Sequence, residues 1–367
     1  MKGNGKSLNQ DALKLTTYFG ERDRLDQLLV ADRLLDLYGE AEIETSVLLR
    51  GVEGFGLKHH LHTDRLLTLS EDLPLVSVAV DTRERIEAVL DDAFKLKRKG
   101  LMTLERARLL SGEILEVSLP EELHEATKLT IYLGRQERVY RMPAFMAVCD
   151  LLYRRGIAGA TAFLGVDGTV RGQRERARFF GRNREVPMMV IAVGEGARIA
   201  RVLPELGGLL HRALLTLERV RVCKRDGELL ERPHALPSTD EHGLEVWQKL
   251  MIYTSEVAKH EGHPIHAALI RRLRESGVAG ATSLRGVWGF HGDHAPHGDK
   301  ALTLARHVPL TTIVIDTPAR IAEAFEIVDE LTAERGLVTS EMVPAMAAIS
   351  EQERARRGGL GLSRHRF

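Results

Sequence analysis

His291, His294 and His297 follow one another at intervals of three residues in the glycine-rich stretch GFHGDHAPHGDK. Imidazole nitrogens are common ligands of zinc and copper, so this spacing suggests a metal site. A structural zinc site usually needs a complete set of ligands in a fixed frame, and this stretch has no cysteine and no helical i, i+4 pair. A zinc or copper site here is therefore an alternative hypothesis, and exposed loop histidines are the ordinary interpretation.

An arginine followed by glycines offers a different chemistry at two places. These residues are Arg50, Gly51 and Gly54 in LRGVEGFG, and Arg285, Gly286 and Gly289 in LRGVWGFH. A guanidinium beside unhindered backbone amides can hold a phosphate or a carboxylate with two parallel hydrogen bonds. A structural arginine that pairs with a carboxylate of a neighbouring lobe would show the same pattern. The glycine spacing matches neither a dinucleotide-binding nor a P-loop fingerprint, so both interpretations stay open.

Composition excludes several classes of protein. The 367 residues include 52 Lys and Arg against 52 Asp and Glu, so no basic field favours nucleic acid. Cys149 and Cys223 are too few for a disulfide framework or an all-thiolate zinc site. The chain shows no membrane-spanning apolar run and no signal-peptide core, so a cytoplasmic protein is expected. Without a nucleophile elbow, a P-loop or a helical metal-binding pair, catalytic activity is not expected.

The arginine-glycine motif belongs to a unit that occurs three times. The segment LKLTTYFG returns as TKLTIYLG and QKLMIYTS, and LMTLERARLL returns as LLTLERVRVC and LVTSEMVPAM. Lys14, Lys128 and Lys249 are separated by 114 and 121 residues, and Gly51, Gly165 and Gly286 are separated by the same intervals. Segments that return in the same order at nearly constant offsets indicate a tandem repeat.

The periodicity of each repeat predicts the order β-α-β-β-α-β, which is that of a ferredoxin-like α+β domain. The third strands, which contain VSVAV, MMVIAV and TTIVI, are almost continuously apolar, so both of their faces should be covered. We expect the three sheets to cover one another as an intramolecular pseudo-trimer. The predicted domains are residues 12–110, 127–224 (the divergent copy) and 247–346, followed by a disordered tail over 347–367.

The order KLTIYxG, GxxGATxLRGVxGFG and LPxxxxxVDT resembles the PII-like domain-of-unknown-function 190 family, over nearly the whole chain and in three copies. The third copy fits best, and the second has Leu164 where the others have arginine. The family is similar in fold to the nitrogen-regulatory PII proteins and the divalent-cation-tolerance proteins, which are trimers of ferredoxin-like subunits.

This resemblance implies a regulatory protein that binds a small anionic ligand, such as a nucleotide, in clefts between the domains. It also implies that the long loops contact a target protein, such as a membrane channel or transporter. The ligand would lie near Arg50, Gly51, Gly54, Arg285, Gly286 and Gly289, and the chain is expected to be a monomer. Metal tolerance through the loop histidines and a purely structural interaction module are the alternative functions.

Overall fold

The computed structural model describes residues 10–56, 62–63, 72–96, 99–112, 114, 119, 121–123, 125–170, 173–174, 186–210, 213–291, 296–298, 308–349 and 356–365. This part of the chain is a mixed α+β structure with a large antiparallel sheet and six helices. None of these helices combines the length and the apolar character that crossing a bilayer requires.

The main strands and helices of the first repeat have the predicted order, and the other two repeats add further strands to it. The first repeat contains β1 (Gln10–Gly20), α1 (Val30–Glu40), β2 (Thr45–Phe55), β3 (Pro74–Thr82), α2 (Arg83–Lys95) and β4 (Gly100–Gly112). The second contains β5 (Thr127–Gly134), α3 (Ala144–Arg154), β6 (Gly159–Leu164), β7 (Asp167–Val170), β8 (Pro187–Gly194), α4 (Gly196–Leu209), β9 (Ala213–Arg219) and β10 (Arg221–Arg225). The third contains β11 (Trp247–Ser255), α5 (Ile265–Glu275), β12 (Ala281–Arg285), β13 (Trp288–His291), β14 (Pro309–Asp316), α6 (Pro318–Leu331), β15 (Leu337–Val343) and β16 (Ala345–Ile349), and β17 (Arg356–Gly359) follows it.

Shorter elements connect these strands and helices. They are the two-residue strands Arg24–Leu25, Leu28–Leu29, His62–Thr63, Arg138–Val139, Met142–Pro143, Gln173–Arg174, Glu228–Leu229, Lys259–His260, His263–Pro264 and His297–Gly298, and the 3-10 turn Glu121–Leu123.

Within a repeat, the first strand lies between the third and the fourth, and the second strand pairs with the outer edge of the third. In the first repeat β1 pairs antiparallel with β3 and β4, and β2 pairs antiparallel with β3. The other two repeats show the same pairings. The helices bury their apolar residues against one face of the sheet, as α1 does with Leu34, Leu35 and Tyr38.

The opposite faces of the three sheets meet in one central apolar cluster. It combines Val78 of the first repeat, Ile191 of the second and Ile313 of the third with other residues of all three repeats. Nearly every residue of β3, β8 and β14 is buried, which confirms the prediction that both faces of these strands are covered. Burial of this second apolar face therefore requires all three repeats.

Strand pairing between repeats closes a cycle. The end of β4 pairs with β9, β10 pairs with β15, and β16 pairs with the beginning of β4. Each fourth strand, or its continuation, thus extends into the sheet of the next repeat, and the third repeat returns to the first. Such head-to-tail pairing satisfies strand edges that an isolated repeat would expose.

The second strands also join neighbouring repeats, and this corrects an expectation. The sequence pattern predicts that these strands end near Gly51, Gly165 and Gly286 and that a long loop follows each of them, but β2 continues to Phe55, and β7 and β13 follow in the other repeats. These extensions pair with the second strands of neighbouring repeats: β2 with β12, β7 with β2, and β13 with β6. Trp288–His291, which this prediction places in the loop, is therefore part of an inter-repeat ladder.

The tail differs from the disordered segment that its composition predicted. Arg356–Gly359 pairs with β16, and the side chain of Ser363 is buried. The amide of Ser363 donates to the carbonyl of Pro344 at 2.8 Å, and the amide of Arg364 donates to Asp240 at 2.7 Å. The arginine and glycine content did not prevent order because the tail has sheet and loop partners elsewhere in the chain.

A closed ring of six buried charges lies where the three sheets meet. Its members are Lys14, Lys128 and Lys249 on the first strands and Glu105, Glu218 and Glu341 on the fourth strands. Within each repeat the lysine and glutamate are cross-strand partners, at 2.9, 3.2 and 2.9 Å from Nζ to Oε2. Each carboxylate also contacts the lysine of a neighbouring repeat: Lys14 with Glu218, Lys128 with Glu341, and Lys249 with Glu105.

Burial and the alternation of charge have opposite effects on this ring. Burial by itself would raise the pKa of Glu105 and of Glu341, but the surrounding lysines hold both pKa values below their usual 4.5. Burial would lower the pKa of Lys14 and of Lys249, but the carboxylates raise both above 10.5. For Lys128 burial prevails, and its pKa is lowered. The ring is thus neutral as a whole, and the removal of one charge leaves its partners uncompensated.

Loss of one ring carboxylate should destabilise the whole chain. Glu218→Gln keeps the size of the side chain but leaves Lys14 and Lys128 with one fewer negative partner, and we expect a loss of about 3–5 kcal/mol in the free energy of unfolding. Urea titration at pH 7 measures this loss. The matched control is Glu326→Gln, which removes the exposed partner of Arg232 and should have almost no effect.

A sixfold variant separates the effect of an unpaired charge from the contribution of the ring itself. Replacing the three lysines with Met and the three glutamates with Leu should give a stability equal to the wild type, or higher by roughly 1–4 kcal/mol. A sixfold variant less stable than Glu218→Gln would show that the charges stabilise the fold directly.

The ring should also make stability fall in acid. The folded-state pKa values of Glu105 and Glu341 lie below 4.5, so the stability that they contribute is complete above pH 4.5 and is lost as the pH falls toward the lowered pKa values. Urea midpoints measured between pH 7 and pH 3 should fall most steeply below about pH 4.5, where the unfolded carboxylates take up protons. The sixfold variant should show a smaller decrease, and an equal decrease would contradict this origin.

Candidate functional site

Arg50 and Arg285, the arginines of the predicted ligand motif, form ion pairs in the structure. Arg50 Nη2 lies 2.7 Å from Glu21 Oε2, and Arg285 Nη2 lies 2.7 Å from Glu256 Oε1. Each glutamate directly follows the first strand of the same repeat. The carboxylate partner is therefore within the repeat, and not in a neighbouring lobe as the structural interpretation expected.

The second repeat lacks both partners of this ion pair. Arg135 occupies the position of Glu21 and Glu256, because its amide makes the equivalent hydrogen bond, to the carbonyl of Val186 at 2.9 Å. Leu164 occupies the position of the arginine. The second repeat thus lacks both the glutamate and the arginine of this ion pair, which supports a pairing role for Arg50 and Arg285 in the other repeats.

The glycines of the motif lie where neighbouring backbones approach closely. A Cβ on Gly51 or Gly286 would lie 2.7 or 2.8 Å from Cγ of the proline that begins the third strand, Pro74 or Pro309. These contacts are shorter than real Cβ atoms tolerate, so glycine is needed here for packing.

The second glycine of each motif faces a neighbouring repeat. A Cβ on Gly54 would lie 2.8 Å from the carbonyl oxygen of Ala281, and one on Gly289 would lie 2.3 Å from that of Ala160. In the ladder between the first and third repeats, Gly51 is opposite Leu284 and Gly54 is opposite Thr282. The structure thus brings the first motif beside the strand that ends in Arg285, and the glycines explain how the two backbones fit together.

The predicted metal ligands are described only in part, since His294 lies outside the described residues. His291 Nδ1 is 3.9 Å from Asp226 Oδ1, and His297 is opposite Gly289 in a short ladder. Among the described residues, Glu105, Glu218 and Glu341 alone form a group of three or more potential ligands close enough to share an ion. Those carboxylates already contact the ring lysines, so ion pairing accounts for the acidic group. The histidine site stays a prediction.

Arg174, one of the arginines after the second strand of repeat two, connects two repeats. It contacts Asp167 in its own repeat and Asp32 and Asp36 on α1 of the first repeat. These aspartates raise the pKa of Arg174 in spite of the opposing effect of its partial burial. An alternative role for the arginines of this segment, as anion ligands in place of the arginine missing at Leu164, is not supported at Arg174, because three aspartates already pair with it.

A cavity of about 750 Å³, called the central cavity below, is lined by residues of all three repeats and of the tail, and the sequence motifs did not predict it. Its lining includes five arginines, which are Arg83, Arg106, Arg108, Arg219 and Arg364, and two carboxylates, which are Asp11 and Glu218. Its size is in the usual range of small-molecule sites. The described lining therefore has an excess of positive side chains, and Glu218 also belongs to the neutral ring.

Some contacts of these arginines are to neutral groups. Arg106 donates to the carbonyl oxygen of Ser363, and Arg364 Nη1 is 3.5 Å from His242 Nε2. Two others are paired with carboxylates: Arg108 Nη1 is 3.0 Å from Asp11 Oδ1 within the cavity wall, and Arg83 Nε is 2.7 Å from Glu87 Oε1.

His234 lies close to two arginines of the second repeat. Burial, and then the charges of Arg221 and Arg219, lower the pKa of His234 to about 4. Burial disfavours a charge of either sign, so only the smaller contribution of the two arginines indicates positive surroundings.

A sequence signal for this site existed but was incomplete. Arg106 and Arg219 follow the ring glutamates in the repeated segments LERARLL and LERVRVC, and these arginines recur at one position of an apolar strand. Only the closure of the cycle brings them to one cavity.

Comparison with known proteins identifies the repeats. The model of the DUF190 family, described as "Uncharacterized ACR", matches residues 12–109, 126–222 and 247–345. Two curated relatives, both named "UPF0166 protein" of Aquifex aeolicus (strain VF5), are similar to single repeats. One is 31% identical over 94 residues, which is 26% of this chain and 88% of the relative. The other is 30% identical over 70 residues, which is 19% of this chain and 73% of the relative. The three matches extend over most of the chain, and the protein therefore belongs to the DUF190 family, with three copies of the family domain in tandem.

Proposed function

We propose that this protein is a PII-like regulatory protein in which three ferredoxin-like repeats form an intramolecular pseudo-trimer. It binds a small anion where the repeats meet and transmits the bound state to a target protein, such as a membrane channel or transporter. The observation that carries this proposal is the central cavity with its five arginines and two carboxylates. Guanidinium groups are suited to phosphates and carboxylates because they present several donors in one plane.

The connections between the repeats support a signalling role. The central cavity is lined by Arg106 in β4, Arg219 at the end of β9 and Met342 in β15, and these strands also belong to the ladders that close the cycle. A ligand that contacts all three strands would bind the assembled arrangement better than any loosened one, and would stabilise it by linkage. The loops that would contact the target, between β2 and β3 and at the equivalent places, lie largely outside the described residues.

The central cavity is favoured over the motif sites at Arg50 and Arg285. Each motif arginine is a single cation with a carboxylate partner at 2.7 Å, whereas the cavity lining has three more arginines than carboxylates. The motif glycines are accounted for by backbone packing between repeats. The metal-tolerance alternative depends on His294 and its neighbours, and a purely structural module would not need an excess of arginines over carboxylates around a cavity.

Binding of a simple polyanion tests this function. Wild-type protein titrated with sodium tripolyphosphate at low ionic strength should release measurable heat in calorimetry and raise the unfolding temperature. The double variant Arg106→Ala/Arg219→Ala should bind roughly tenfold more weakly or worse, because it removes two charge-assisted contacts.

Two further variants determine where the anion binds. Arg232→Ala/Arg320→Ala removes two exposed arginines outside the cavity and should leave the affinity unchanged. If Arg50→Ala/Arg285→Ala weakens binding and the cavity variant does not, the anion binds at the motif. If a panel of phosphates, nucleotides and carboxylates produces neither heat nor a thermal shift with wild-type protein, the proposed function is wrong.

A further inference from the structure

The three repeats contribute unequally to the central cavity, although they occupy equivalent places around it. The residue after each ring glutamate is Arg106 in the first repeat, Arg219 in the second and Met342 in the third, and all three line the cavity. The strand register confirms that these positions are equivalent, since Leu13 is opposite Arg106, Thr127 is opposite Arg219 and Gln248 is opposite Met342.

The same inequality continues two residues further along the fourth strand. Arg108 of the first repeat lines the cavity, and Pro344 of the third repeat lines it at the equivalent position. Met342 and Pro344 thus present an apolar wall where a symmetrical arrangement would have arginines. Methionine adapts its shape to irregular apolar ligands.

Apolar residues that are sequence neighbours of ring residues also line the cavity, beside the ring residue Glu218. Leu13 and Leu217 directly precede the ring residues Lys14 and Glu218 in their strands, and both line the cavity together with Leu123. The ring has three lysines and three glutamates and therefore adds no net charge. The positive charge of the lining comes from arginines of the first two repeats and from the tail.

The tail supplies the remaining polar contribution. Arg364 and His365 line the cavity, and the backbone amide of Arg364 is fixed by Asp240 at 2.7 Å. Ser363 is held between the carbonyl of Pro344 and the side chain of Arg106. Because a single tail contributes residues to the cavity, the cavity lining cannot have threefold symmetry.

From this asymmetry we infer that the central cavity binds one ligand per chain in one orientation, and that the ligand is a polyanion with an apolar body. Its anionic groups lie against Arg106, Arg219 and Arg364, and its apolar part lies against Met342 and Pro344. This inference rests on the proposed function, because it specifies the class of anion and the stoichiometry at the same site. A homotrimer of identical domains would place three equal walls around this cavity and could not impose such an orientation.

A pair of probes with the same charged group tests the inference. Calorimetry with geranyl diphosphate and with inorganic pyrophosphate compares the same diphosphate with and without an apolar body. Wild-type protein should bind one geranyl diphosphate per chain, about tenfold more tightly than pyrophosphate, since the apolar wall contributes only to the first.

Replacement of the apolar wall should reverse this preference. Met342→Arg introduces the residue that the first two repeats have, and it should tighten pyrophosphate binding and weaken geranyl diphosphate binding, each by roughly fivefold. Leu229→Arg adds the same charge at an exposed site outside the cavity and should leave the ratio of affinities unchanged. Met342→Leu keeps the wall apolar and should keep the wild-type ratio, and the comparison of the two probes with wild-type protein still tests the inference if Met342→Arg fails to fold.

The possible failures are distinguishable. Equal affinities of wild-type protein for the two probes, or a stoichiometry of three, would overturn the inference and leave the proposed function in place. A Met342→Arg variant that folds and keeps the wild-type ratio would also overturn it. No binding of any anion by wild-type protein would reject the proposed function itself.

Discussion

Each ring carboxylate contacts two lysines, one in its own repeat and one in a neighbour, so a single repeat cannot complete the arrangement. Charged groups lose much of their hydration free energy on burial, and only partners with good geometry replace it. With Lys14, Lys128 and Lys249 alternating with three glutamates, this condition is satisfied only when all three sheets face one another in a single register. The apolar cluster around the ring favours association in general, because hydrophobic burial is non-directional. The ring selects one association among the many that burial of the same faces would permit.

The other features of the core follow from this closed arrangement. Once the sheets face one another, their second strands come close enough that Gly54 and Gly289 must have no side chain. The fourth strands then run from one repeat into the next, and they carry Arg106 and Arg219 to the cavity beyond the ring. The neutral ring and the positive cavity are neighbours, since Glu218 belongs to both. The cationic character of the cavity thus depends on residues that the ring does not include.

Fusion of three copies into one chain permits differences that an assembly of identical subunits cannot have. The second repeat has lost the ion pair that joins Arg50 to Glu21 and Arg285 to Glu256, and its Arg174 instead contacts helix α1 of the first repeat. The third repeat has Met342 where the others have arginine. The ring residues are the same in all three repeats, whereas the contacts between repeats and the residues that line the cavity differ. This division is physically reasonable, since one altered ring charge would leave its neighbours unpaired, but an altered wall changes only what the cavity can hold.

The sequence by itself determined the repeat, the order of strands and helices, the apolar third strands and the membership of the family. These are local properties, because hydrophobic period, glycine position and spacing act within one repeat. It also contained a lysine and a glutamate at matching positions of apolar strands, without indicating their partners. The tertiary structure alone decided that these charges form one ring, that the motif arginines pair within their own repeats, and that the tail is ordered over 356–365. It also placed the arginine-rich cavity, which is built from residues more than 100 positions apart, such as Arg106 and Arg219. Contacts at such separation depend on how sheets meet in space, and no period along the chain encodes that geometry.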